Sequence, residues 1–228
     1  WYDNIQRGLL RSGALARMIA EQGLLGLTSN PSIFEKAILG SRDYDEALAS
    51  ARRQQPRASA QDLFYTLAID DIREAADLFA ATYRDSGGRD GLVSLEVSPD
   101  LAYDTEATVD EAVALFQRVD RPNLLIKVPA TKPGLHAIEE LIDRGINVNV
   151  TLLFSIARYE AVADAYLLGL EARLRRGQPL SGICSVASFF VSRIDSLIDK
   201  QLQSLAAQGD TDIAQHARAL LGTIAVAN

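Results

Sequence analysis

Short apolar runs alternate along the chain with longer segments of helical period, the pattern of repeated βαβ units. Residues 24–30 form the first clear expected strand, and Pro31 follows at a helix start, with Ser32 and Glu35 in capping-box spacing. Residues 60–84 carry Leu63, Leu67, Ala75, Leu78 and Phe79 on one flank behind Ser59 as N-cap, until Gly87 and Gly88 break the period. A strand is expected at residues 92–97. Val109, Ala112, Val113 and Phe116 fall at i, i+3, i+4 and i+7, so residues 105–119 predict an amphipathic helix leading into a strand at 123–128. Pro133 opens another helix carrying Leu135, Ile138 and Ile142; Gly145 ends it, and residues 147–153 are a further strand. Residues 156–176 predict a long helix, 182–188 a strand, and 190–206 and 211–226 helices. Trp1, Tyr2 and Asp3, ahead of the first helix, supply the tail of one more strand and bring the count to six.

No low-complexity linker, charge block or short repeat interrupts this alternation, so residues 1–228 are expected to form one α/β domain. Regular βα repetition without a Gly-rich dinucleotide fingerprint after the first strand favours a (β/α)8 TIM barrel over a doubly wound sheet, although six strands fall short of eight. Strand side chains alternate between faces. Gly26, Thr28 and Asn30 share one face; Ser94 and Glu96 oppose Val93, Leu95 and Val97. Lys127 and Leu125 oppose Leu124, Ile126 and Val128, while Asn147, Asn149 and Thr151 oppose Val148, Val150 and Leu152. Polar residues therefore collect on one face near the strands' C-terminal ends, where barrel enzymes place their chemistry.

Composition narrows the class. With 228 residues, 48% hydrophobic and 23% charged, the chain is neither a disordered tail nor a small disulfide scaffold. A net charge of −7 and a pI near 4.9 give no global basic footprint for nucleic acid, so a small-molecule substrate is expected. No apolar run approaches the roughly 18 residues of a membrane span, and the first residues lack a secretory pattern. Cys184 is the single cysteine and has no internal disulfide partner. Together these features predict a cytoplasmic location with no membrane partner. The chain begins at Trp1 and its only methionine is Met18, so the numbered sequence is expected to be part of a longer reading frame.

Lys127 is the sharpest chemical clue, the only one of four lysines inside an expected strand. Desolvation lowers the pKa of a buried amine, and a free amine attacks carbonyls to form a Schiff base. The plainer reading is a lysine snorkelling to solvent or paired with Glu96. Glu96 and Asp3 are candidate proton-transfer groups; a salt bridge to Lys127 and a helix N-cap are their structural alternatives. Asn149 and Thr151 are suited to orient a substrate hydroxyl or a water; equally they are satisfied interior polar residues. Arg193, early in the helix after Ser188, lies where barrels often bind phosphate, although most helical arginines are solvated. His136 and His216 lack companions at metal spacing, and no P-loop, nucleophile elbow or Cys-x-x-Cys is present.

Two segments carry more than pattern. Gly26-Leu27-Thr28-Ser29-Asn30-Pro31-Ser32-Ile33-Phe34 and Ile126-Lys127-Val128-Pro129-Ala130-Thr131 together resemble the transaldolase family. The opening Trp-Tyr-Asp-Asn-Ile, Ser94 to Val97, Asn147 to Ser155 and Ser188 to Arg193 are similar to it in the same order, across nearly the whole chain. The likeness is to the longer bacterial subgroup, which includes barrels fused to a glucose-6-phosphate isomerase. It implies a dihydroxyacetone-transferring enzyme of the pentose phosphate pathway, acting on sugar phosphates without a cofactor or metal. Lys127 would form the Schiff base, Asp3 would take the C4 hydroxyl proton, and Glu96 would act through a water shared with Thr151. Asn30, Asn149 and Ser188 would hold the dihydroxyacetone unit, and Arg193 the phosphate. The resemblance also implies two further strands beyond Asn228, and a homodimer or a fused isomerase domain as partner arrangements. A Schiff-base aldolase releasing free dihydroxyacetone and a non-catalytic barrel fragment are the competing expectations.

Overall fold

The computed structural model describes residues 1–207, 209 and 211–227. The chain opens with β1 (Tyr2–Asp3), α1 (Arg7–Arg11) and α2 (Ala14–Gln22), then β2 (Gly26–Thr28), α3 (Pro31–Gly40), α4 (Asp45–Gln54) and the long α5 (Ala60–Asp85). β3 (Leu92–Glu96), a 3-10 turn (Pro99–Leu101), α6 (Thr105–Val119), β4 (Leu124–Pro129), α7 (Lys132–Arg144) and β5 (Val148–Leu153) follow. The last described elements are α8 (Ile156–Arg175), β6 (Ser185–Phe189), α9 (Ser192–Ala206), α10 (Asp212–Leu220) and α11 (Ile224–Ala227).

All six strands are parallel and ordered β1-β2-β3-β4-β5-β6, so each βα unit places its strand beside the previous one. The sheet curls: Asp3 of β1 and Phe190 and Arg193 just beyond β6 line the same cavity. The architecture is thus a curled α/β half-barrel; the described residues contain the six strands expected of this chain, two short of a closed eight-stranded barrel. Every residue of β4 is buried, as a central parallel strand covered on both faces requires. Ile72, Ala75, Ala76 and Phe79 of α5 join Val93, Leu95, Ile126 and Val128 in one core. Each of these larger than alanine contributes about 1.5–3 kcal/mol on burial.

Local signals act much as expected at α5 and α7. Ser59 and Asp62 form a reciprocal capping box, Thr131 caps α7 through the Gly134 N–H, and Gly145 closes that helix at φ +86°. Gly134 is required by close approach, since a Cβ there would collide with the Pro129 carbonyl.

Four local expectations are corrected. The α3 cap is Asn30, whose side chain accepts from the Ile33 N–H, and not Ser32 with Glu35: Pro31 already occupies the first turn, which puts Ser32 inside the helix. Gln6, not Asp3, precedes α1, because Asp3 is paired with Thr28 in the sheet. The span 211–226 is two helices broken around Gly222 at φ +71°. Leu152, assigned to the core-facing set of β5, instead adopts φ +60° and lines the cavity, while Leu153 takes the buried place. Among the described residues no helix is long and apolar enough to cross a membrane.

Candidate active site

The C-terminal ends of the strands surround a cavity of about 410 Å³ lined by Asp3, Asn30, Glu96, Lys127, Thr151 and Arg193, among others. Parallel register builds it. Glu96 lies opposite Lys127, and Lys127 opposite Asn149, so alternate side chains of three neighbouring strands point to one side.

Lys127 is 4% exposed, and its Nζ stands 3.4 Å from Glu96 Oε2 and donates to the Ser29 carbonyl at 3.2 Å. The lysine is therefore neither solvated nor a snorkelling strand-end residue; it is held at the cavity floor. Burial pushes the Glu96 carboxyl above its ordinary value, opposed chiefly by the Lys127 charge and hydrogen bond and then by Arg193, while Asp3 adds to the rise. A carboxyl so placed is poised to exchange a proton with the adjacent amine or with a group bound to it.

The turn after Glu96 is fixed from outside the sheet. Glu111 of α6 accepts from the Ser98 N–H at 2.5 Å and from the Tyr65 hydroxyl at 3.3 Å, and that hydroxyl lies 3.4 Å from the Glu96 carbonyl. Burial and the Glu111 charge beside it push the Tyr65 phenol strongly up, so it remains a donor throughout the ordinary pH range.

Asn149 and Ser188 sit beneath the cavity lining. Asn149 is fully buried, donates to Ser94 Oγ at 3.0 Å and accepts from the Ser188 hydroxyl at 2.8 Å. The eight residues singled out in the sequence thus divide into six that line the cavity and this hydrogen-bonded pair, of which Asn149 is buried and Ser188 half-buried. Arg193 is carried by the first turn of α9, its guanidinium 4.3 Å from the centre of the Phe190 ring. It lines the cavity, and its charge helps to hold the Glu96 carboxyl down.

Ser32, Ile33 and Lys36 of α3 also line the cavity, as do Leu152 and Phe190. The first three had a legible signal: a helix starting directly after a barrel strand directs its first turns at the C-terminal rim. Leu152 had none, because its left-handed backbone is invisible in an apolar run. Glu111 and Tyr65 read only as positions on amphipathic helices. Among the described residues no three His, Cys, Asp or Glu side chains are grouped to hold a metal ion.

Comparison with known proteins gives this geometry a family. The chain is 49% identical over 225 residues to a protein named Transaldolase from Thiobacillus denitrificans, covering 99% of this chain and 62% of that protein. It is 51% identical over 228 residues to Transaldolase 1 of Streptomyces avermitilis, covering 58% of it, and 47% identical over 231 residues to Transaldolase 2 of Nostoc punctiforme, covering 60% of it. The chain therefore spans about three-fifths of the length of these curated relatives, and all of it, or nearly all, is matched. The family profile described as Transaldolase/Fructose-6-phosphate aldolase matches residues 1–225, and the chain belongs to that family.

Proposed function

We propose that the protein is a transaldolase, moving a dihydroxyacetone unit from a ketose phosphate such as fructose 6-phosphate or sedoheptulose 7-phosphate to an aldose phosphate. The observation that carries this reading is the buried Lys127–Glu96 pair at 3.4 Å, on the floor of a cavity that also holds Asp3 and Arg193. The ammonium passes a proton to Glu96, and the freed amine attacks the ketose carbonyl. Glu96 returns the proton to the carbinolamine hydroxyl, which leaves as water, with Thr151 beside the path. The resulting iminium is an electron sink. Asp3 takes the C4 hydroxyl proton, the C3–C4 bond breaks, and its electron pair moves through the carbon framework to nitrogen, leaving a neutral enamine. Asn30 would hold the substrate's hydroxyls, with Asn149 and Ser188 supporting the β5–β6 side, and Arg193 would take the phosphate.

The proposed complete architecture is one eight-stranded barrel domain. Its support is the curl of the six parallel strands and the greater length of the relatives. The family description also names fructose-6-phosphate aldolase, so release of free dihydroxyacetone is the second reading. Borohydride reduction in the presence of fructose 6-phosphate, followed by peptide mass mapping, should place the adduct on Lys127. Trapping on Lys36, Lys132 or Lys200 refutes the assignment. Product analysis with and without an acceptor aldehyde separates transfer from release.

A further inference from the structure

Three consecutive residues of β5 depart from the alternation of a regular strand: Thr151 and Leu152 both line the cavity, and Leu153 is fully buried. The cause is one extra residue. Val150 pairs with Ala187 and Leu153 with Phe189, so three steps along β5 match two along β6. Leu152 absorbs the difference at φ +60°, a conformation that costs an L-residue with a branched side chain and that glycine adopts freely. Asp120 is the other non-glycine residue with positive φ among the described residues, and it sits at the end of α6, where a short polar side chain suits that backbone. No such accommodation exists at Leu152. A bulge needed only for its backbone would be served by glycine, and a side chain 39% exposed is not there to fill the core. The strain is retained for a side chain that must face the cavity.

That side chain stands on the rim with Phe190, whose N–H donates to the Leu153 carbonyl at 2.7 Å, and on the same cavity as Lys127 and Arg193. We propose that Leu152 is a specificity-determining residue: an apolar wall that keeps water from the three-carbon enamine on Lys127 and so favours transfer over release. The inference rests on the Schiff-base reading above. The enamine has two fates. In transfer, its nucleophilic carbon bonds to the acceptor's aldehyde carbon, the carbonyl electron pair moves to oxygen, and that oxygen takes a proton from Asp3, leaving an iminium that water hydrolyses to the new ketose and the free amine. In release, the same carbon takes a proton delivered through water; a second water then adds to the imine carbon, the C–N bond breaks, and dihydroxyacetone leaves the free amine. An apolar side chain at the mouth opposes the second fate at its distinguishing step, protonation of the carbon through ordered water; hydrolysis of the imine is common to both fates.

Leu152→Gly separates this role from a structural one, since glycine keeps the bulge and relieves its strain. With fructose 6-phosphate as donor and erythrose 4-phosphate as acceptor, the expected result is a melting temperature equal to or above that of the parent. Borohydride trapping at Lys127 should persist, with about a tenfold rise in the ratio of free dihydroxyacetone to transferred product. Leu152→Ala should fall between the two. A ratio within about twofold of the parent at unchanged melting temperature overturns the proposal, and so does a lowered melting temperature in both variants, which marks a packing residue. Failure of the parent itself to trap at Lys127 refutes the Schiff-base reading and this inference with it; trapping with an unmoved ratio refutes Leu152's role alone.

Discussion

Arg7 and Asp71 form a buried ion pair on the outer side of the sheet, between α1 and α5, with side chains only 4% and 1% exposed. Arg7 Nε donates to Asp71 Oδ1 at 2.7 Å, and the Tyr44 hydroxyl donates to Oδ2 at 2.7 Å. That hydroxyl in turn accepts from the Arg7 N–H at 3.0 Å, and the Tyr44 ring lies 4.5 Å from the guanidinium carbon. Breaking the cluster from its two sides should have different consequences. Asp71→Asn leaves a guanidinium that cannot shed its proton, so it should cost about 3–5 kcal/mol at any pH from 5 to 8. At about 2–4 °C per kcal/mol for a chain of this size, the melting temperature should fall by about 6–20 °C. Arg7→Met leaves a carboxyl that can protonate. Burial already holds Asp71 above its ordinary value, against the pull of its Tyr44 hydrogen bond and of Arg7, and removing Arg7 raises it further. The folded state then binds a proton that the unfolded state has lost, so stability is retained at low pH and declines as pH climbs through the folded-state value. The slope is about 1.4 kcal/mol per pH unit within that window. Urea unfolding at pH 5, 6, 7 and 8 reads both variants. An Arg7→Met loss that is the same at pH 5 and pH 8 refutes the reasoning, as does a double replacement with Arg7→Met and Asp71→Leu that costs the full sum of the single losses.

Two further expectations concern the site and the sheet. Asp3→Ala should lower C–C cleavage by about 10²-fold or more while the ketose still traps on Lys127, whereas Glu96→Ala should slow appearance of the trapped imine itself; stopped-flow reduction that finds both trapping at the parent rate dismisses this division of labour. Gly91→Ala should cost more than about 2 kcal/mol in urea unfolding, since Gly91 sits at φ +75° and a Cβ there meets the α5 backbone at Phe79 and Tyr83; a variant as stable as the parent would show that α5 can move aside.

The strands and the longer helices were legible because their periodicities are strong and their ends are marked by Ser59, Pro133 and Gly145. Helix α4 escaped notice: within it only Ala51 is buried, and a largely polar helix leaves a weak apolar stripe. The cavity floor was legible too, since a lysine amid β-branched and aliphatic residues is an anomaly that alternation assigns to a face. What periodicity cannot carry is tertiary partnership. That Asn149 spends its amide on Ser94 and Ser188, that Asn30 caps a helix, or that Glu111 reaches the turn after β3 depends on elements far apart in sequence. The bulge at Leu152 is the clearest case, for an apolar residue in an apolar run gives no sign of a reversed φ.

The cavity joins Asp3 to Arg193, nearly the full length of the chain apart, and the Asp3 end is held in the sheet by only two register pairs, Tyr2 with Leu27 and Asp3 with Thr28. Contacts between such distant positions demand the greatest loss of chain entropy and form late, after the local βα units have condensed. A two-residue strand held by so few register pairs is also among the first segments to open when the native state fluctuates. The proposed proton acceptor at Asp3 therefore sits on a weakly held strand, while Lys127 and Glu96 belong to the largely buried strands β4 and β3. Mild denaturation should then displace the proposed bond-breaking base while the Lys127 amine remains buried. The chemistry would then stall at the imine well before the fold itself gives way.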